Sequence, residues 1–144
     1  MSKVQQISVF AQNKPGKIKR VTDILSRNSI NIRAITIASG DEYGVIKLLV
    51  DDPGKAYQAL AEKGLSVALN EVLAIKMEDK PGGLHRIMEI LAENNINVED
   101  AYGFVIKSGK IAVLVVNVKD IKKAKEVLLF KRIHLLEEKD LYQL

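Results

Sequence analysis

The chain has 144 residues, 47% of them hydrophobic and 28% charged, with a formal net charge of +4, which is the balance of a folded protein of one ordinary or two small domains. It contains no uncharged apolar run near the ~18 residues of a membrane helix, and its start lacks the apolar core of a secretory signal, so we expect a cytoplasmic protein. The absence of cysteine excludes disulfides and thiolate catalysis, and two histidines are too few for a histidine-rich centre, which leaves only carboxylate sites open for a metal. We expect no metal and no cofactor.

Hydrophobic periodicity in the first half of the chain predicts six elements in the order βαββαβ. The predicted elements are a strand over 4–11, a helix with apolar residues from Ile18 to Leu25, strands over 32–39 and 43–50, a helix opened by Pro53, and a short strand with Val67 and Leu69. In the first strand, Ile7 and Val9 face one side, whereas Gln6 and Ser8 face the other. This order of elements is typical of a ferredoxin-like unit.

The second half of the chain repeats the first with a shift of 66 residues. Lys14-Pro15-Gly16 recurs as Lys80-Pro81-Gly82, and nine of twenty positions are identical between windows 13–32 and 79–98. The shift aligns Leu48 with Leu114, and we expect the second copy to gain about two residues only after that strand. The repeat predicts two copies of one domain, 1–69 and 70–144.

The repeat defines an α+β fold, with two ferredoxin-like βαββαβ units in tandem, antiparallel sheets and helices on one face. Asn70-Glu71 is the only break between apolar segments, and no Gly/Ser-rich linker separates the copies. A unit of about 70 residues buries too little surface to be very stable alone, and its sheet edges are exposed. We therefore expect the copies to pack against each other and the chain to form a homodimer.

Two equivalent segments, residues 13–18 and 79–84, join the first strand of each copy to its first helix. Asn13 and Asp79 are good N-caps, proline fixes the turn, and glycine lets another group approach the backbone. The free N–H groups at a helix start suit a carboxylate or a phosphate. Each segment is either a capped turn alone or a ligand site, and its occurrence at the same place in both copies favours the ligand site.

These segments resemble the marker of the ACT domain family, the small regulatory modules of amino-acid metabolism. The marker is Asp or Asn, any residue, Pro-Gly, any residue and an aliphatic, here NKPGKI and DKPGGL. The family's next element is matched by Ser29-Ile30-Asn31-Ile32 and by Asn95-Ile96-Asn97-Val98. The resemblance covers nearly the whole chain and implies a tandem pair of ACT domains.

The resemblance implies that a free amino acid binds between the turn of one ACT domain and the second strand of another. The predicted ligand-binding residues are Asn13, Pro15, Gly16, Ile18 and Asn31 in the first copy, and Asp79, Pro81, Gly82, Gly83, Leu84, Asn97, Asp100 and Tyr102 in the second. The family also implies a metabolic enzyme as the regulated partner.

The two copies differ at these positions. Gly83 in place of Lys17 predicts a less crowded second turn. Asp100 could receive an ammonium group and Tyr102 could close over a ligand side chain, although both could equally be exposed strand residues.

A basic cluster leaves another function open, because residues 107–132 contain eight Lys or Arg against two acids. Ferredoxin-like RNA-binding modules stack bases on a motif of sheet aromatics, to which Tyr102-Gly103-Phe104 is the nearest match here. An enzyme of this fold, such as an acylphosphatase, needs an arginine in the first loop, and neither first loop has one. We predict a non-enzymatic regulatory protein with no catalytic residue that binds an amino acid, with single-stranded RNA as the alternative ligand and no membrane association.

Overall fold

The computed structural model describes residues 3–143, and their contacts divide into two compact units. The first unit is Gln5–Asn70, and the second begins at Glu71 and also includes Val4. Each has the predicted βαββαβ order, so the tandem ferredoxin-like fold is confirmed. Within the described residues, no helix is long and apolar enough to cross a membrane.

The first unit contains two helices and a sheet of four strands in the order β2-β3-β1-β4. Its elements are β1 (Val4–Gln12), α1 (Lys17–Arg27), β2 (Ile32–Ser39), β3 (Tyr43–Val50), α2 (Pro53–Glu62) and the first part of β4 (Ser66–Glu78). Asp52 caps α2 by accepting a hydrogen bond from the N–H of Lys55 at 3.1 Å, and Pro53 opens the helix as predicted.

The second unit repeats this arrangement, with the strand order β5-β6-β4-β7. Its elements are the rest of β4, α3 (Gly83–Glu93), β5 (Val98–Lys107), β6 (Ile111–Val118), α4 (Ile121–Phe130), β7 (Leu135–Leu136) and α5 (Glu138–Leu141). Asp120 caps α4 in the same way as Asp52 caps α2.

The strand β4 runs without interruption from Ser66 to Glu78, so the short strand predicted around Val67 and Leu69 does not end before Asn70-Glu71 but continues into the next one. Two polar residues do not end a strand when their backbone stays extended and the apolar pattern resumes on both sides. The domain boundary predicted between residues 69 and 70 lies inside this strand and stays a prediction.

The register of the sheets also corrects the alignment of the two copies. Ile7 pairs with Leu48 in the first unit, whereas its counterpart Leu73 pairs with Val116 in the second. Leu48 therefore corresponds to Val116 rather than to Leu114. The two extra residues of the second copy lie at the β5–β6 hairpin, between Val105 and Ile111, where they lengthen β5 to ten residues and shift its register. Insertions near the tip of a surface hairpin cost little.

Each unit has its own hydrophobic core on the helix-covered face of its sheet. The first core includes Ile7, Val9, Val21, Leu25, Leu48 and Leu60, and the second includes Leu73, Ile75, Ile87, Leu91, Val116 and Leu128. On the opposite face of β1, Gln6 and Ser8 are also buried, at 1% and 6% exposure. The strand pattern placed these two residues on the correct face but did not predict their burial.

Candidate ligand-binding site

The two turns have the same backbone conformation. Gly16 precedes α1 with φ of +91° and Gly82 precedes α3 with φ of +88°. A side chain at such a φ is strained, so the fold itself requires glycine at both positions. Neither helix has a side-chain cap, and the prediction that Asn13 and Asp79 are N-caps is therefore wrong.

Asn13 and Asp79 instead fasten each turn to the adjacent hairpin of the sheet. The side-chain amide of Asn13 donates to the carbonyl of Gly40 at 2.9 Å. The carboxylate of Asp79 accepts from the N–H of Gly109 at 2.7 Å. The turn is thus attached to the hairpin by a donating side chain in the first unit and by an accepting one in the second. Because Asn13 and Asp79 make these hydrogen bonds, neither of them caps the helix that follows.

Beside the first turn lies a small groove that contains exposed apolar side chains. Ile18 at the start of α1 is 42% exposed and Ile37 on β2 is 43% exposed, and both line the groove with Asn13 and Lys17. The cavity volume is about 40 Å³. Exposed isoleucines next to free helix N–H groups form a surface that is apolar on one side and suited to an anion on the other.

The second turn is more crowded than the first, so the prediction from Gly83 is wrong. A Cβ atom at Gly83 would run into the backbone carbonyl of Glu78. Lys17 carries a side chain at the equivalent position, so the first unit has room there for a Cβ. Leu84, the counterpart of Ile18, is 47% exposed, and Pro15 and Pro81 are exposed as well.

Asn31 and Asn97 lie at the far ends of α1 and α3 from the turns. Each helix has 11 residues, which separates its ends by about 16 Å. The backbone N–H of Asn31 donates to Asp51 at 3.0 Å. Neither asparagine therefore meets the turn of its own unit, and their predicted role in ligand binding stays a prediction.

Asp100 and Tyr102 lie on the face of β5 that points away from the helices. Their neighbours Ala101 and Gly103 pair with core residues of β6, so the alternating positions face the other side. The side chain of Asn117 donates to Asp100 at 3.3 Å. Burial raises the pKa of Tyr102, and the nearby charges of Asp100 and Tyr142 raise it further. The structure does not bring either residue to the turn of its own unit, and their ligand contacts remain predicted.

Two side-chain interactions near the turns, a hydrogen bond and an ion pair, were not anticipated from the sequence. The guanidinium of Arg20 donates to the carbonyl of Lys63 at 2.7 Å and so connects α1 to the segment after α2. In the second unit, Lys80 forms an ion pair with Glu78 at 2.8 Å. The hydrogen bond from Lys80 lowers the pKa of Glu78, as do the charges of Lys80 and Arg86.

Among the described residues, no group of three or more histidine, aspartate or glutamate side chains is arranged to hold a metal ion.

Basic residues are concentrated beside the second turn. Lys76, Lys110 and Arg132 lie there together with Lys80 and Arg86. The sequence alignment missed this cluster because it placed the two-residue insertion after β6 rather than before it.

Comparison with known proteins agrees with this fold. Residues 2–144 match the family described as an ACT domain pair. A protein from Bacteroides thetaiotaomicron is 32% identical, with 99% of this chain and 97% of that chain covered and a TM-score of 0.91. No match was found among curated proteins.

The regulatory subunits of aspartate kinase from two Thermus species share the fold at lower identity. The Thermus thermophilus subunit is 17% identical over 88% of this chain and 91% of its own, with a TM-score of 0.63. The Thermus flavus subunit is 15% identical over 89% and 92%, with a TM-score of 0.59. Since the family match extends over nearly all 144 residues, this chain belongs to the family of ACT domain pairs.

Proposed function

We propose that this chain is a non-enzymatic regulatory protein that binds a free amino acid at the turn of its first unit. The observation that carries the proposal is the start of α1, which has no side-chain cap and borders a groove with exposed Ile18 and Ile37. Membership of the ACT domain pair family supports a regulatory role, and two structures with this fold are named as regulatory subunits of aspartate kinase.

The chemistry of the turn fits the three parts of an amino acid. The N–H groups in the first turn of α1 can donate to the α-carboxylate. The amide nitrogen of Asn13 donates to the carbonyl of Gly40, so we assign its oxygen as the acceptor for the ammonium group. Ile18 and Ile37 provide an apolar surface for the side chain.

The size of the groove favours a small ligand. A cavity of about 40 Å³ has room for about three water molecules. This space accepts a short side chain or one end of a ligand. We therefore expect the tightest binding from amino acids with short side chains.

The remaining predictions on function extend this proposal. The second turn, with Asp79, Pro81, Gly82 and Leu84, is a predicted site of the same type. We propose a metabolic enzyme as the regulated partner, a homodimer as the assembly and the cytoplasm as the location. The alternative of single-stranded RNA as the functional ligand receives no support from the family match.

The proposal is tested by calorimetry of the full chain against each of the twenty amino acids. At least one should bind, and Ile18→Gln combined with Ile37→Thr should weaken that binding about tenfold or more, because the apolar surface is lost. Leu84→Gln, the matched change in the second unit, reports how much of the binding belongs to the second turn. If no amino acid binds, or if the double variant binds like the parent, the first-unit site is wrong.

A further inference from the structure

A groove in the second unit concentrates positive charge. Its cavity volume is about 680 Å³, and it borders the start of α3, the end of β4, the start of β6 and the segment between α4 and β7. The charged and titratable side chains that line it are Lys76, Glu78, Lys80, Arg86, Lys110, Arg132 and His134. Five Lys or Arg against one carboxylate leave an excess of four positive charges, which equals the formal net charge of the entire chain.

The fold does not require this charge, because the first unit forms the same structure without it. The carbonyls of Glu42 and Lys110 accept from the backbone N–H of Asn13 and Asp79, which makes them equivalent positions. Three of the five cations are absent from the first unit. The residues there are Phe10 in place of Lys76, Glu42 in place of Lys110 and Gly64 in place of Arg132.

Arg132 occupies a backbone position that disfavours a side chain. Its φ is +60°, and the equivalent Gly64 in the first unit has φ of +81°. Arginine in the left-handed region is strained, and glycine would remove that strain. Backbone conformation alone would therefore favour glycine at this position, whereas arginine places a cation in the lining of the groove.

We propose that this groove binds a compact small molecule that carries at least two phosphate groups. Lysine and arginine are the side chains that proteins use for phosphate oxygens, and arginine can bind two of them at once. The N–H of Gly83 donates to the carbonyl of Lys80 at 3.0 Å, but α3 has no side-chain cap, so the following N–H groups of its first turn add backbone donors. One carboxylate would leave most of the positive charge uncompensated, whereas two phosphates compensate it.

The dimensions and the lining favour a small molecule over a nucleic acid. The volume lies in the range of small-molecule sites, and the lining contains no phenylalanine, tyrosine or tryptophan, so His134 is its only ring on which a base could stack. The inference goes beyond the amino-acid function proposed above for the first turn and does not depend on it. The groove shares the start of α3 with the second turn, but the proposal rests on Lys76, Lys110 and Arg132 and on a ligand of another charge.

The test is calorimetry of the full chain with inorganic pyrophosphate at low ionic strength. We expect binding that weakens as salt is added, because the contacts are ionic. Lys110→Glu combined with Arg132→Gly introduces first-unit residues and should weaken binding about tenfold or more. Replacing Arg132 by glycine relieves backbone strain, so thermal unfolding should confirm that the variant stays folded.

A charge-matched control separates the groove from general electrostatic attraction. Lys122→Glu combined with Lys123→Gln changes the net charge equally on the exposed side of α4 and should leave binding nearly unchanged. The variant Glu78→Gln should have the opposite effect on binding. It introduces glutamine, the residue that the first unit has at the equivalent position, Gln12. It releases Lys80 from its ion pair and should tighten pyrophosphate binding.

Four results would overturn the proposal. They are no pyrophosphate binding at about 1 mM, an equal loss in the Lys122/Lys123 control, equally tight binding of orthophosphate or citrate, and tighter binding of a single-stranded RNA oligonucleotide that the groove variant abolishes. Equal affinities for pyrophosphate and a nucleoside diphosphate would support it, because the phosphates alone would then supply the binding energy.

Discussion

The two units carry the same turn on the same scaffold, but the residues around it give the turns different chemistry. In the first unit, the turn borders exposed Ile18 and Ile37, and the hairpin opposite contributes Glu42. In the second unit, the hairpin contributes Lys110, and four further cations line the adjacent groove. The comparison shows that the repeated backbone sets where a ligand can bind, whereas the side chains that differ set which ligand it is.

The largest difference should appear at the first helical residue of each turn. Gly83→Ala puts a Cβ against the carbonyl of Glu78 and should lower the free energy of unfolding by about 3 kcal/mol, because a backbone atom cannot move aside easily. Lys17→Ala, the matched variant, should change it by less than about 0.5 kcal/mol. Urea denaturation measures both values. Equal losses would show that the two strands approach their helices equally closely.

The preceding glycines should instead behave alike. Gly16→Ala and Gly82→Ala introduce a Cβ that has no atom within 4 Å, so only the positive φ is unfavourable. Each change should cost about 1–2 kcal/mol. Urea denaturation of both variants provides the comparison. A much larger loss at Gly82 would mean that the second turn is constrained by contacts as well as by its backbone.

The fold was predictable from the sequence because its signals are local and repeated. Alternating apolar residues, helical spacing and the doubled Pro-Gly turn predicted every strand and helix of the βαββαβ order, and the bounds of β2 and β3 were predicted correctly. The predictions that were wrong, such as the helix caps and the crowding of the second turn, depend on distances between elements. The sequence shows that Asp79 is a helix-capping type of residue. Only the structure shows that its carboxylate accepts a hydrogen bond from the N–H of Gly109 instead.

The candidate sites were predictable only in part for the same reason. The turn residues follow from a short motif, whereas Lys76, Lys110 and Arg132 come from three separated segments that the fold brings together. An alignment that places the insertion in the hairpin between β5 and β6 would have aligned Glu42 with Lys110. That charge reversal is the signal in the sequence that could have revealed the basic groove.

An intermediate effect is expected at the matched arginines. Arg20→Met removes the hydrogen bond to the carbonyl of Lys63 and should destabilise the first unit by about 1 kcal/mol. Arg86→Met should have a smaller effect on unfolding but should weaken pyrophosphate binding, since Arg86 lines the basic groove. Thermal unfolding and calorimetry on both variants separate the two roles. A reversal of the two effects would contradict this division between a structural and a ligand-binding arginine.

The smallest effect is a pH dependence that only the second unit should show. The hydrogen bond from Lys80 lowers the pKa of Glu78 below its ordinary value of 4.5, whereas the first unit has Gln12 at this position and nothing to titrate. Because the folded-state pKa is lowered, the stabilisation from this pair is fully present above about pH 4.5 and is lost as the pH falls through the folded-state value. Lys80→Met should raise the pKa of Glu78 towards 4.5, with Arg86 still holding it slightly lower. Carbon-detected NMR titration of the Glu78 carboxylate measures the change, and Lys14→Met is the matched control that should leave it unaltered. An unchanged pKa in the Lys80 variant would mean that Glu78 is stabilised by the groove as a whole rather than by this one partner.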